Sequence, residues 1–146
     1  AHAAAGVKPP DDYILPGFFT SESGRRELEA WLQRHRGETL PQAIFAASDA
    51  IAIGCLDTLS ARGLRTPADV SVVGFDDTML ARSAHLATVR QPLRDMGHRA
   101  VRLLMDRIDA KLRDAVYRAP ANIVLPTEIV LNKSLAAPRG KAIIIS

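Results

Sequence analysis

Four side chains in this sequence are suited to gripping a small polar molecule: Phe19, Ser48, Asp76 and Gln91. A carboxylate at Asp76 accepts hydrogen bonds from hydroxyls or amines, an amide at Gln91 donates and accepts, and a hydroxyl at Ser48 does both. Phe19 offers a flat apolar face to a sugar ring or a base, as pocket aromatics do. Each has a plainer alternative. Ser48 or Asp49 also reads as a helix N-cap, Gln91 as a hinge or surface residue, and Asp76 as a structural cap. Successive residues of a strand point to opposite faces, so of Phe18 and Phe19 only one need reach a cleft; Phe18 is expected in the core. Of the neighbours Asp76 and Asp77, the first is expected at the ligand and the second capping the turn that follows.

Other chemistries find less support. A metal site needs several converging oxygen ligands, and the acidic pair of a phosphotransfer receiver also needs a lysine late in the sheet, which nothing here clearly supplies. The histidines His2, His35, His85 and His98 are dispersed, so no metal and no cofactor is expected. Ser48, His85 or His98, and Asp76 form a nucleophile, base and acid on paper, yet no Gly-x-Ser-x-Gly elbow organises them. No catalytic residue is assigned. There is no GxGxxG run, no P-loop and no aromatic-basic interleaving for nucleic acid.

The elements that must position these side chains follow one pattern. Ile14 to Phe18, Ile44 to Ala47 and Val70 to Phe75 read as buried strands, each running into a polar or aromatic tip and then a helix-like stretch. In open α/β sheets ligands bind outside the carboxyl ends of the strands. The hydroxyls of Thr20 to Ser23 precede a helix with Leu28, Trp31 and Leu32 on one face, ending near Gly37. Ala43 to Ala47 then leads into a helix through Ile51, Ile53, Leu56 and Leu59, closed by Arg62 and Gly63. Strand, helix, strand with short connections is the βαβ unit of a parallel sheet. A short helix around Met79 to Ser83 and a strand at Thr88 to Gln91 come next. Pro92 reads as the first residue of an amphipathic helix with Leu93, Met96, Ala100, Val101, Leu104 and Ile108 on one stripe. Ala121 to Leu125 and Thr127 to Leu131 read as two short strands or one bent strand. Residues 139–146 read as a tail in which Ile143 to Ile145 could pair.

The composition bounds the rest. With 146 residues, 47% hydrophobic and 24% charged, the chain has the make-up of one globular unit or part of one. Nineteen basic against sixteen acidic residues give +3, and the arginines are scattered, whereas a DNA-binding surface concentrates its charge. One cysteine, Cys55, permits no disulfide within the chain. No run approaches the roughly 18 apolar residues of a membrane span. The opening Ala1 to Ala5, stopped by Gly6 and Pro9-Pro10, reads as the tail of a helix begun upstream, so the chain is expected to be a piece of a longer protein.

At Pro41-Gln-Ala-Ile-Phe-Ala-Ala-Ser-Asp-Ala-Ile-Ala-Ile-Gly54, then Arg62-Gly-Leu-Arg-Thr-Pro-Ala-Asp-Val-Ser-Val-Val-Gly-Phe-Asp-Asp77, Thr88-Val-Arg-Gln-Pro92 and Pro126-Thr-Glu-Ile-Val-Leu131, the sequence resembles the lactose/galactose repressor (LacI/GalR) family. The resemblance covers Ala1 to about Pro138. It implies an α/β fold: a parallel-sheet, Rossmann-like subdomain of the periplasmic-binding-protein-like type I fold, lacking its amino-terminal side. Residues 1–138 would be the carboxyl-terminal portion of an effector-binding and dimerising domain, with 93–118 belonging to the other subdomain.

The implied function is that of a bacterial, cytoplasmic transcription regulator. It would sense a sugar or similar small polar effector, act as a homodimer, and meet DNA only through an amino-terminal headpiece outside this sequence. By this resemblance Phe19 matches an aromatic set against the effector, Asp76 the acid that hydrogen-bonds it, and Gln91 the crossover segment. Ser48 stands where the family most often has asparagine, and Leu93 where some members have an aromatic. The helix from Ala50 to Leu59 matches one at the dimer interface. The stripe from Leu93 to Ile108 would then pack on a subdomain the sequence lacks, so it is expected to fold onto its own sheet or to be exchanged with a second copy. A periplasmic sugar receptor shares the implied fold and is the alternative.

Overall fold

The computed structural model describes residues 6, 9–113, 116, 122–138 and 140. After a 3-10 turn at Asp11–Tyr13 come α1 (Ser21–Arg34), β1 (Ala43–Phe45), α2 (Asp49–Ala61), β2 (Ser71–Phe75), α3 (Met79–Ser83), β3 (Ala87–Arg90), α4 (Leu93–Leu112) and β4 (Glu128–Val130). The sheet runs in the order β1-β2-β3-β4. β1, β2 and β3 are parallel, and β4 lies antiparallel to β3 with Val89 opposite Ile129.

The helices start and stop for local reasons. Thr20 caps α1 by accepting from the Ser23 amide, Ser48 caps α2 by accepting from Ile51, and Thr78 caps α3 by accepting from Ala81. Side-chain oxygens of this kind satisfy amides that a helix leaves without a partner. Gly63, at φ +70°, supplies the left-handed stop after α2. Pro92 is the N-cap of α4 and not its first residue.

The core lies between one face of the sheet and the pair α1 and α2. Leu32, Leu59, Val70 and Val72 are fully buried there, with Leu28, Trp31 and Cys55 around them. Burying one such large side chain stabilises the fold by about 1.5–3 kcal/mol. The two helices meet at bare glycines: a Cβ on Gly24 would collide with the Ile51 carbonyl, and one on Gly54 with the Ser21 carbonyl. The apolar residues spread around α2 are therefore explained on two sides by this chain's own packing. On the uncovered face of the sheet Phe45 is exposed and meets Phe75 edge-on, with ring centroids 6.5 Å apart.

Ser134 closes the amino end of the sheet. Its hydroxyl accepts from the Ala87 amide at 2.8 Å and donates to the Val72 carbonyl at 2.6 Å, while its own carbonyl accepts from the Val72 amide at 2.9 Å.

Several expectations need correcting. Residues 14–18 form no strand. Pro16 has no amide to donate to a ladder, and no strand among the described residues lies between this segment and β1. A cavity of about 530 Å³ occupies that space, lined by Ile14, Leu15 and Pro16 on one side and Ile44, Phe45 and Ala46 on the other. The segment is instead strapped to α1, with the Phe18 amide donating to Ser23 Oγ at 2.9 Å. Phe18 is not a core residue: with no sheet to cover it, it is 73% exposed.

Further along, residues 122–125 are irregular and only Glu128–Val130 pairs; Ala121 lies outside the described residues. The helix of the apolar stripe reaches Leu112 and buries none of its residues, so it does not fold onto its own sheet. Residues 1–5, 139 and 141–146, and with them the helix tail and the Ile143 to Ile145 strand, lie outside the described residues, as do four of the last six positions of 93–118.

Candidate functional site

Parallel strands put their following loops at one end of the sheet, and three such loops carry the polar groups. After β1 come Ser48 and Asp49, after β2 Asp76 and Asp77, after β3 Gln91. Asp76 and Gln91 meet directly, the Gln91 Nε2 donating to Asp76 Oδ1 at 2.8 Å. Asp76 is half-buried, and its amide donates to the Val89 carbonyl at 2.9 Å, so the turn is sewn to the neighbouring strand. Asp76 and Asp77 both have positive φ, 116° and 54°. Aspartate tolerates that region better than most residues, and a strained pair at a strand end needs outside support.

That support is a polar network the individual motifs did not reveal. Asp49 accepts from Thr88 Oγ1 at 2.6 Å and from the Thr78 amide at 2.7 Å. Thr88 Oγ1 in turn accepts from the Asp77 amide at 3.3 Å. The Asp77 carboxylate accepts from Arg82 Nη2 at 2.9 Å and from Arg90 Nε at 2.5 Å, and Arg90 continues to Glu128 on β4 at 2.9 Å. Arg82 beside it, with Arg90 adding to the effect, holds the Asp77 carboxyl below the usual carboxylate range despite its burial. Asp77 thus anchors two arginines, and Thr78, not Asp77, caps the next turn. Thr88 and Arg90 are two apart on β3, so strand alternation puts them on one face; that spacing was the available signal.

Ser48 is buried and its oxygen serves the α2 amides. Phe19 stands just ahead of the α1 cap and is 71% exposed. It lines the 530 Å³ cavity with Ala47, whereas Ser48, Asp76 and Gln91 do not. His85 is exposed in the α3–β3 turn, and no hydrogen bond joins it to Ser48 or Asp76 among the described residues, so the paper triad is not assembled. Among the described residues no three of His, Cys, Asp and Glu cluster as a metal site would require.

A parallel-dominated α/β sheet with acceptor and amide groups gathered at its carboxyl end defines a ligand-binding class of domain. Residues 1–135 match the family model of the periplasmic binding protein-like domain, and the chain belongs to that family.

Among curated proteins it is similar to the HTH-type transcriptional repressor PurR of Pasteurella multocida (strain Pm70), 35% identical over 133 residues that make up 90% of this chain and 37% of that repressor. The PurR of Escherichia fergusonii is likewise 35% identical, over 89% of this chain and 36% of its own. Among solved structures, the transcriptional regulator CelR in complex with cellobiose superposes with a TM-score of 0.78 at 34% identity, covering 92% of this chain and 39% of that one. A LacI family transcriptional regulator from Mycobacterium smegmatis gives 0.77 at 28% identity, covering 94% and 49%. The chain therefore spans under two-fifths of the length of these curated relatives, and what it matches in the LacI-family regulators is their effector-binding portion.

Proposed function

We propose that this chain is the effector-sensing and dimerising part of a LacI/GalR-type DNA-binding transcription regulator, working in the cytoplasm and without catalysis. The observation that carries the reading is the hydrogen-bonded pair of Asp76 and Gln91 at the carboxyl ends of parallel strands, in a chain whose relatives are transcriptional repressors. Gln91 occupies one oxygen of Asp76 and leaves the other to accept from a ligand hydroxyl or amine. A sugar or similar small polar effector fits that acceptor, and the likeness to a cellobiose-bound regulator supports a sugar. Phe19, exposed and a few residues before α1, supplies an apolar face, and the free hydroxyl hydrogen of Ser48 supplies a donor.

The exposed stripe of α4, with Leu93, Val101, Leu104 and Ile108 all open to solvent, belongs in this reading to a second subdomain, and 93–118 is its segment. Ligand closing the cleft favours one subdomain arrangement, and the homodimer relays the difference to DNA through a headpiece outside this sequence. Such coupling requires the effector to bind the two arrangements unequally.

The test is titration calorimetry of the full-length regulator with a panel of sugars that includes cellobiose. Asp76→Ala removes a charge-assisted hydrogen bond of about 1.5–3 kcal/mol, so the affinity should fall about 10- to 100-fold with the melting temperature little changed. An affinity equal to that of the parent would overturn the assignment of Asp76.

A further inference from the structure

Asp49 is 1% exposed, and among the described residues no cation pairs with it. A buried carboxylate without a counter-ion is costly unless its oxygens are well bonded. Its position as first residue of α2 offsets part of that cost, because the helix amino terminus is electropositive. Yet α2 does not need it as a cap, since Ser48 already fills that role. Its two oxygens go elsewhere, to Thr88 Oγ1 on β3 and to the Thr78 amide after β2.

These two bonds bracket the strained residues. Thr78 follows the positive-φ pair directly, and Thr88 holds the Asp77 amide through the same hydroxyl that donates to Asp49. While the Asp76 amide is held separately by the Val89 carbonyl, two of the ties on this turn, at the Asp77 and Thr78 amides, therefore lead back to one carboxylate. The sheet keeps room for it, because a Cβ on Gly74 would collide with Asp49 Oδ1. Asp49 thus reaches from the end of β1 to the turn after β2, from which Asp76 projects, and to Thr88 within β3, the strand that leads to Gln91.

We propose that Asp49 is the positioning residue of the site: it sets the Asp76 turn in the geometry that meets the effector and does not touch the effector itself. That consequence for binding rests on the proposed role of Asp76, whereas the geometric claim does not.

Amide hydrogen exchange read by NMR on the chain without effector separates the two. Asp49→Ala should lower protection at the Asp77 amide, to which Asp49 is not bonded, about tenfold more than at the β2 amides. Thr88→Val should do the same at the Thr78 amide, which Thr88 does not touch. Asp49→Asn, whose amide oxygen can accept from Thr78 while its nitrogen donates to Thr88 Oγ1, should keep both protected. Leu59→Ala, which loosens the core, should lower β2 and turn amides alike.

A loss confined to the amide that each variant contacts directly, or a loss no greater than that of β2, would overturn the proposal. Should Asp49→Ala fail to fold, the Thr78 amide of Thr88→Val decides alone. Because no effector enters the measurement, these amides can respond as expected even if Asp76 proves not to bind a sugar.

Discussion

His35 shows how much a single ring can fasten. Its Nδ1 faces the Trp31 carbonyl at 2.8 Å and its Nε2 the Asp12 carboxylate at 2.6 Å, and only a doubly protonated imidazole donates to both. The Trp31 carbonyl first, then Asp12, push its pKa above the ordinary value of 6.5, with Glu38 acting in the same direction. A raised value means that the clasp stabilises fully below about pH 6.5 and is lost as pH climbs through the folded-state value. Trp31 is the only tryptophan and stacks on His35 with centroids 4.2 Å apart. Its emission should change with a midpoint above 6.5; Asp12→Asn should lower that midpoint and His35→Gln remove it. Asp77 has the opposite sign, since its depressed value protects the fold above the usual carboxylate range and fails as pH falls. Asp76 was legible in the sequence because a polar residue directly after a β run has one place to be. The linking carboxylate of Asp49 was not, because its partner Thr88 lies 39 positions away and is met only once the strands are in register.

Among the elements, the caps of α1 and α2 were legible because their signals are local: hydroxyls at Thr20 and Ser48 sit just ahead of apolar spacing, whereas the α3 cap at Thr78 was hidden behind the two aspartates before it. The segment at residues 14–18 has the composition of a strand, but a strand exists only with a neighbour, and among the described residues it has none there. The spread of apolar residues on α2 likewise has a cause that no period reveals, namely backbone contact with α1 at Gly24 and Gly54. Gly54→Ala should therefore destabilise by about 1–3 kcal/mol, as overpacking does, whereas Gly97→Ala in α4 meets nothing within 4 Å. That second change should be neutral or gain up to about 1 kcal/mol from helix propensity. Urea melts of the two variants check the contrast; equal effects would mean that the α1–α2 crossing is not close.

On the scale of the whole molecule, α4 divides what this chain stabilises by itself from what a larger assembly would. Leu104 is 58% exposed, so Leu104→Asp should change the stability of this chain by less than about 0.5 kcal/mol, the usual range for surface sites. In a full-length regulator, if a second subdomain covers the stripe as proposed, the same substitution buries an unpaired charge and should cost several-fold more. Equal costs in chain and full-length protein would remove α4 from the subdomain contact. The order of the sheet has a consequence for how the molecule comes into being. Ser134, which bonds both Val72 and Ala87, follows them by 62 and 47 positions. A chain synthesised from its amino end completes β1, β2 and β3 while the seam at Val72 still awaits its bridge, so that seam closes only once Ser134 has emerged.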